Sequence, residues 1–330
     1  MNKIKDSIKV VLKHKFLPSY KLNKLTKVEN KRYLSSYSKP YHSNEQAVKS
    51  TLLLHSHRLE KGLSHINFRK GFGQNACELL KKAMDNYNKA GFSKDKNEYK
   101  LALSVLNAYI EKHKSTELPK FFKKIFKKYL FEIKNSSSDI GGTLLLNKES
   151  KLNNRNVNYK TLCENRVSIR EWSDAPINMD LVLEAIDISM KSPSVCNRQS
   201  SRIRIINRPE IVNKAINLQG GFSGYKIPPS LALITTDTRD FVNVEERSQV
   251  YIDGGLFAMN FLNGIEYVGL GACALSAVFT SKKDKEMRKL LNVPSNENFI
   301  MFIAIGNLLN ETPYCKSWRK PVTDITLIIN

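Results

Sequence analysis

Histidine is missing from the second half of this sequence. All six (His14, His42, His55, His57, His65 and His113) lie before residue 114. A Ser/His/Asp or Cys/His nucleophile arrangement therefore cannot be built from the second half alone, and chemistry there must rest on other groups or on a cofactor. Cysteine is sparse as well: five residues, at 77, 163, 196, 273 and 315, form no CxxC pair. That excludes a zinc ribbon and a disulfide framework and leaves reduced thiols used mostly in packing. No apolar run approaches the roughly 20 residues that span a bilayer. Met1 to Asn30 carries no uncharged hydrophobic block of signal-peptide type, so the expectation is a cytoplasmic protein. Nothing matches GxxxxGK[ST], so there is no P-loop.

What is abundant is positive charge. The chain has 330 residues, room for two domains, with 41% hydrophobic and 25% charged residues, an ordinary globular composition. Its net charge of +22 is uneven: residues 1–150 hold 31 Lys+Arg against 13 Asp+Glu (+18), residues 151–330 hold 22 against 18 (+4). Such asymmetry suggests an anionic partner for the first half, whether membrane surface, nucleic acid or acidic polymer. Solvated lysine faces on helices account for it equally, since surface lysine is the commonest use of the residue. Ile4, Ile8, Val11 and Leu12 share one helical stripe with Lys3, Lys5, Lys9 and Lys13 around it, so residues 1–34 are a candidate peripheral contact for a membrane or anionic polymer. No sequence-specific nucleic-acid binding is expected.

From Ala76 to Lys134 the spacing is helical. Phe121, Ile125, Phe126, Tyr129 and Ile133 recur at three- and four-residue intervals with lysines between, which reads as a core face backed by a solvated one. His55, His57, His65 and Cys77 fit no standard zinc spacing, and a hydrogen-bonded turn suits them better. "NSSSDIGG", Asn135 to Gly142, breaks this texture. It divides a basic, mostly helical region, 1–150, from an α+β domain, 151–330, with one main sheet flanked by helices. In that domain helices are expected at Met179–Met190, Pro209–Leu218, Gly255–Val268 and Lys282–Leu291. Strands are expected at Arg202–Ile206, Leu231–Thr235, Phe299–Ile305 and Ile325–Ile329. "RIRII" alternates and looks half-exposed, whereas "FIMFIAI" is apolar throughout and looks central.

Four stretches can carry chemistry. In "ENRVSIREWS" Arg166, Ser168 and Arg170 fall at period two, so an extended backbone projects two guanidinium groups and a hydroxyl to one side, suited to a phosphate or an electron-rich ring edge. In "KSPSVCNRQSS" Asn197 and Gln199 offer donor and acceptor together, the requirement for reading the edge of a flat heterocycle. A turn satisfying its own backbone explains Ser194 and Asn197 as well. "EYVGLGACALSA" reads as a helix end running into small residues that allow close backbone approach, and its GxG is no dinucleotide fingerprint. "CKSWRKP" puts Lys316, Arg319 and Lys320 near the C-terminus, able to close a phosphate site or to form a basic tail.

Taken in order, "RVSIREW", "LVLEAIDISMKSPSVCNRQ", "IPPSLALITTD", "DGGLFAMNFLNGIEYVGLGAC", "FIAIGN" and "SWRKP" resemble the nitroreductase family of FMN-dependent oxidoreductases. The resemblance runs from about Tyr159 to the C-terminus, and the basic helical region before it is additional. It implies an α+β fold, an intimate homodimer and FMN as cofactor. It further implies that Arg166, Val167 and Ser168 meet the phosphate and ribityl chain, with Arg170 nearer the ring. Asn197 would bind the ring's pyrimidine edge with Gln199 close by, the backbone of Leu275 and Ser276 would face its reactive nitrogen, and Arg319 with Lys316 would close on the phosphate. The implied activity is electron transfer from NADH or NADPH through the flavin to a small organic acceptor. A tailoring step on one biosynthetic intermediate, for surface polysaccharide or another product, is an alternative, as is an anionic polymer or membrane-binding protein that keeps the flavin fold. Ser200 and Ser201 stand where the family often has Pro and an aromatic residue.

Overall fold

The computed structural model describes residues 16–37, 44–114, 117–137 and 139–329. The helix expected around Ile4 to Leu12 lies outside them. In chain order the helices are α1 (Leu17–Ser36), α2 (Glu45–Leu63), α3 (Gln74–Lys89), α4 (Asn97–Lys112), α5 (Lys120–Ile125), α6 (Leu130–Lys134), α7 (Lys148–Leu152), α8 (Tyr159–Asn165), α9 (Met179–Ser189), α10 (Pro209–Gln219), α11 (Gln249–Tyr267) and α12 (Ser281–Leu291). The strands are β1 (Thr143–Asn147), β2 (Ser201–Ile206), β3 (Ser230–Asp237), β4 (Gly271–Ser276), β5 (Glu297–Gly306) and β6 (Glu311–Cys315). By contact the chain forms two units with interleaved segments. A helical unit takes Ser38–Asn153, Val167–Ser173 and Leu308–Asn330, and a sheet unit takes Met1–Tyr37, Asn154–Arg166 and Asp174–Asn307. The compositional break near Asn135–Gly142 falls inside the first of these.

The helical unit is built on α2, α3 and α4. Asn44 caps α2 by accepting from the backbone N–H groups of Gln46 and Ala47. Leu52, Leu59 and Leu63 are buried against Cys77, Leu80 and Met84 of α3 and against Tyr99, Val105 and Tyr109 of α4. The aromatic stripe of 121–133 is core, as its helical spacing implies: Phe122, Phe126, Tyr129 and Ile133 are buried, and Phe122 stacks on Tyr109 with ring centroids 4.8 Å apart. Burial pushes the Cys77 thiol up to about 12, so that cysteine packs and does not react.

This unit also contains a two-stranded antiparallel ribbon, β1 with β6, in which Thr143 pairs Cys315. Neither strand is legible in the sequence. The strand expected at Ile325–Ile329 does not form: Val322–Asp324 make one 3₁₀ turn and the residues after Ile325 run without a ladder. Leu327 and Ile329 are 85% and 87% exposed. An apolar run signals something to bury, and a strand needs a neighbouring backbone as well.

The sheet unit carries an antiparallel sheet in the order β2-β3-β5-β4. β3 is buried along its whole length, and β5 has a neighbour on each edge, which is why "FIMFIAI" reads as an apolar run. β2 lies at an edge, with Arg202 exposed and Arg204 reaching Glu297 on β5 at 2.5 and 2.9 Å. α11 starts at Gln249, six residues before the expected start at Gly255. A Cβ at Gly264 of α11 would come within 2.7 Å of the Ala185 carbonyl oxygen, so glycine permits the close crossing with α9. The reading of Glu266 to Ala277 as a helix end with small residues needs correction. α11 stops at Tyr267, Gly269 turns the chain with φ +78, and 271–276 is strand β4 paired to β5. Small residues there are an edge strand's side chains, which no helix-period signal reveals. The main sheet and its flanking helices make the fold α+β, with the expected mostly helical region ahead of it.

Candidate functional site

The sequence-derived residues divide between the two units. Val167, Ser168, Arg170, Lys316 and Arg319 belong to the helical unit; Arg166, Asn197, Gln199, Leu275 and Ser276 belong to the sheet unit.

In the helical unit Ser168, Arg170 and Arg319 converge on one pocket of about 320 Å³, together with Leu53, His57 and Glu60 from α2, Leu101 from α4, and Ser317 and Trp318. Each wall has a local cause. Leu53, His57 and Glu60 lie at i, i+4 and i+7 on one helix face. Residues 167–173 run without helix, and Glu171 ties them down by accepting from the backbone N–H of Ile66 at 3.2 Å while His65 Nδ1 lies 3.5 Å from the same oxygen. Ser317 adopts φ +50, which turns Trp318 and Arg319 back from the end of β6. Trp318 packs on the helical core.

Arg170 is 9% exposed, unlike a side chain on a solvated strand face. Its Nη1 donates to the Ser168 carbonyl at 3.4 Å and lies 3.6 Å from Cys315 Sγ. Burying a guanidinium is costly unless it is paired or faces an anion. Glu60 is 2% exposed; Oε2 lies 3.1 Å from His57 Nδ1, and Oε1 accepts from the Gly142 N–H at 3.1 Å. Gly142 has φ +101 and its missing Cβ would lie 2.8 Å from Ala108 Cβ, so only glycine delivers that N–H. The breaker "GG" thus positions a buried carboxylate.

His57, Glu60 and Cys315 bring potential ligand atoms within 4.8 Å of one another. Both Glu60 oxygens are engaged, and the Arg170 guanidinium lies 3.6 Å from the sulfur. The four residues weighed as ligands, His55, His57, His65 and Cys77, do not assemble: His65 faces Glu171 and Cys77 is in the core.

Lys316 is placed elsewhere: its ammonium donates to the Asp139 carbonyl at 3.0 Å, and it does not line the pocket. Val167 is half-buried and also outside the lining. His57 and Glu60 were missed as pocket residues. Their signal was available only as a His-x-x-Glu pair on an amphipathic helix, with nothing to say what faces it.

In the sheet unit the loop 194–199 holds three non-glycine residues at positive φ: Cys196 at 48°, Asn197 at 53° and Gln199 at 52°. Such conformations cost about 1–3 kcal/mol each and persist only where the surroundings enforce them. Here the loop is clamped from several sides. Asp253 on α11 accepts from the Val195 N–H at 3.1 Å, and Ser194 Oγ accepts from the Gln199 N–H at 2.9 Å. Arg198 makes a two-pronged pair with Glu246 at 2.6 and 3.1 Å. That guanidinium, with the N–H groups of Val242 and Asn243, holds the Glu246 carboxyl down at about 2. The clamp leaves Asn197 and Gln199 exposed, and the Asn197 carboxamide bonds no described residue. A turn that satisfied its own backbone would spend that side chain on itself. Beside the loop is a cavity of about 30 Å³, lined by Ser189, Pro193, Gln199 and Phe257 among others, the size of a single water. Ser200 is 1% exposed with its hydroxyl unpartnered among the described residues, and Ser201 begins β2.

On β4 Leu275 is buried and Ser276 exposed; the Ser276 carbonyl accepts from Gln219 Nε2 at 3.0 Å. Arg166 is the C-cap of α8, half-buried, its N–H donating to the Leu162 carbonyl at 3.1 Å.

Residues 217–307 match the Nitroreductase family. The matched stretch runs from the end of α10 through β3, α11, β4 and α12 to β5 and stops short of "RVSIREW" and "SWRKP". Among solved structures, a nitroreductase-like protein from Streptococcus mutans is 18% identical with TM-score 0.45, covering 52% of this chain and 98% of its own. A nitroreductase family protein from Clostridium difficile is 18% identical with TM-score 0.42 over 52% and 98%. A hypothetical oxidoreductase from Bacillus subtilis is 21% identical with TM-score 0.42 over 49% and 68%. No curated protein matches the chain.

Proposed function

We propose that this protein is a flavin-dependent oxidoreductase that binds FMN and passes electrons from NADH or NADPH to a small organic acceptor. Support comes from the nitroreductase match over 217–307 and, above all, from the convergence of Ser168, Arg170 and Arg319 on one pocket. Two guanidinium groups and a hydroxyl, brought together from separate stretches of chain, form a donor set for a phosphate dianion. The flavin, when bound, supplies two-electron chemistry, so the chain needs no nucleophile of its own. The resemblance puts Arg170 nearer the ring; its place beside Ser168 and Arg319 in one pocket leads us to assign Arg170 and Arg319 to the phosphate instead, with Arg170 held by the Ser168 carbonyl. Asn197 offers an open amide donor and acceptor on a clamped loop, the group assigned to the ring's pyrimidine edge.

The test is the visible spectrum of the purified protein followed by anaerobic titration with NADH and with NADPH. Flavin absorbance that bleaches with one of them is expected. Colourless protein that does not take up FMN overturns the reading, and bound flavin that neither nicotinamide bleaches overturns its reductase part.

The homodimer belongs to the same proposal. Tyr251, Ile252, Leu256 and Met259 on α11 are 57%, 53%, 43% and 45% exposed, an apolar stripe on an otherwise buried helix. For an anionic surface the described part of the candidate segment is α1, which buries none of its residues and is joined to Glu245 and Arg247 by ion pairs from Lys21 and Glu29. No helix among the described residues is long and apolar enough to cross a membrane.

A further inference from the structure

α1 runs for 20 residues and buries none of them. Helices owe most of their stability to packing an apolar face, and exposed ion pairs add little. Lys21, Leu25 and Glu29, at i, i+4 and i+8, make one face of it: Lys21 lies 3.9 Å from Glu245, Glu29 pairs with Arg247, and Leu25 between them is half-buried. That face is turned to residues 244–248 of the same unit, so the opposite one is turned to solvent. There Phe16, Tyr20, Lys24, Lys27, Lys31 and Leu34 recur at four- and three-residue steps. Phe16, Tyr20 and Leu34 are 64%, 67% and 57% exposed. The three lysines are exposed as well and form no ion pair among the described residues. Apolar side chains thus stand at both ends of a basic stripe, and such a surface is made to be covered.

Charge and apolarity together select the occupant. A polyanion satisfies the lysines and leaves the apolar ends in water. The same stripe of a second copy sets lysines against lysines, in a chain whose net charge is already +22. An anionic bilayer meets both requirements, because its headgroups attract ammonium groups and its acyl boundary takes up aromatic and aliphatic side chains. We propose that the outer face of α1 is a peripheral docking surface for anionic lipid, with Lys24, Lys27 and Lys31 at the headgroups and Phe16, Tyr20 and Leu34 inserted at the two ends. The lysine stems are long enough to lie along the acyl boundary while their ammonium groups stay at the headgroup level. This is independent of the flavin reading, and it gives the anionic contact of α1 a face and a partner.

Co-sedimentation of the full chain with phosphatidylcholine vesicles, made with and without phosphatidylglycerol, tests this. Wild type is expected to sediment with the phosphatidylglycerol vesicles alone, and less of it as salt rises. Lys24→Gln, Lys27→Gln and Lys31→Gln combined are expected to weaken partitioning by on the order of a hundredfold. Tyr20→Ser with Leu34→Ser is expected to weaken it too while leaving retention on a heparin column as in wild type, which separates a bilayer from a polyanion. None of these residues is buried, so both variants are expected to keep the wild-type melting temperature. Wild type that ignores the phosphatidylglycerol vesicles overturns the proposal, and so does a lysine variant that sediments as wild type does. A serine variant that partitions as wild type does also overturns it and assigns the lysines to a polyanion.

Discussion

At the residue scale, what separates Arg170 from Arg319, the pocket's other basic side chain, is burial. Most of the 53 lysines and arginines sit in water, where a charge costs little and says little. Arg170 is 9% exposed and lines the pocket beside Ser168 and Arg319. Arg170→Ala is therefore expected to weaken FMN binding by about 1.5–3 kcal/mol, the worth of a charge-assisted hydrogen bond. That is on the order of ten- to more than hundredfold in affinity, read by fluorescence titration. Lys316→Ala is expected to cost less, because that ammonium is spent on the Asp139 carbonyl. Equal losses would mean that Lys316 contributes as much to the phosphate site as the buried arginine does. Ser168 and Arg170 stand out in the sequence by their period-two spacing and Arg319 by the late basic cluster, and the three line one pocket. His57 and Glu60 were not. A helix face shows its periodicity in sequence but not its partners, and here those partners come from residues 167–173 and 308–330.

At the element scale, the loop 194–199 shows how a strained backbone is kept. Three positive-φ residues in four would relax if the loop were free, and the Arg198–Glu246 pair is the electrostatic part of what prevents it. The Glu246 carboxyl is held down at about 2, so its contribution to stability is complete above the usual carboxylate range and fades as pH falls toward 2. The gap in urea midpoint between wild type and Glu246→Gln is therefore expected to be widest near about pH 6 and to shrink by about pH 3. A gap that is constant with pH would mean that the pair contributes only packing. Helices 179–189, 209–219 and 281–291 and strands β2, β3 and β5 were legible to within two residues or so, since apolar runs and caps mark them directly. β1, β4 and β6 were not. β4 is made of small residues with little apolar signal, and β1 and β6 form only because each supplies the other's ladder, a pairing about 170 residues apart that no local pattern encodes.

At the scale of the whole molecule, composition indicated two regions but not the way the chain returns to them. Residues 167–173 and 308–330 count with the helical unit because side chains there, Glu171 and Trp318 among them, find their neighbours in it. Long-range returns of this kind leave no compositional trace. The same scale decides how many chains make the protein. Ile252, Leu256 and Met259 recur at four and three residues, so they form a stripe on α11, a helix whose other face is core. A helix stripe paired with its own copy about a two-fold axis is the least costly way to cover such a surface, because each residue contributes twice. Reversing the stripe's character with Ile252→Lys and Leu256→Glu leaves the buried face, Asp253, Gly254 and Phe257, unchanged, so the fold is expected to persist. Sedimentation velocity is expected to show a dimer for wild type and a monomer for the double variant, with unchanged far-ultraviolet circular dichroism. A double variant that stays dimeric would assign the contact to another apolar surface, and the exposed run Ile325 to Ile329 would be the next to remove.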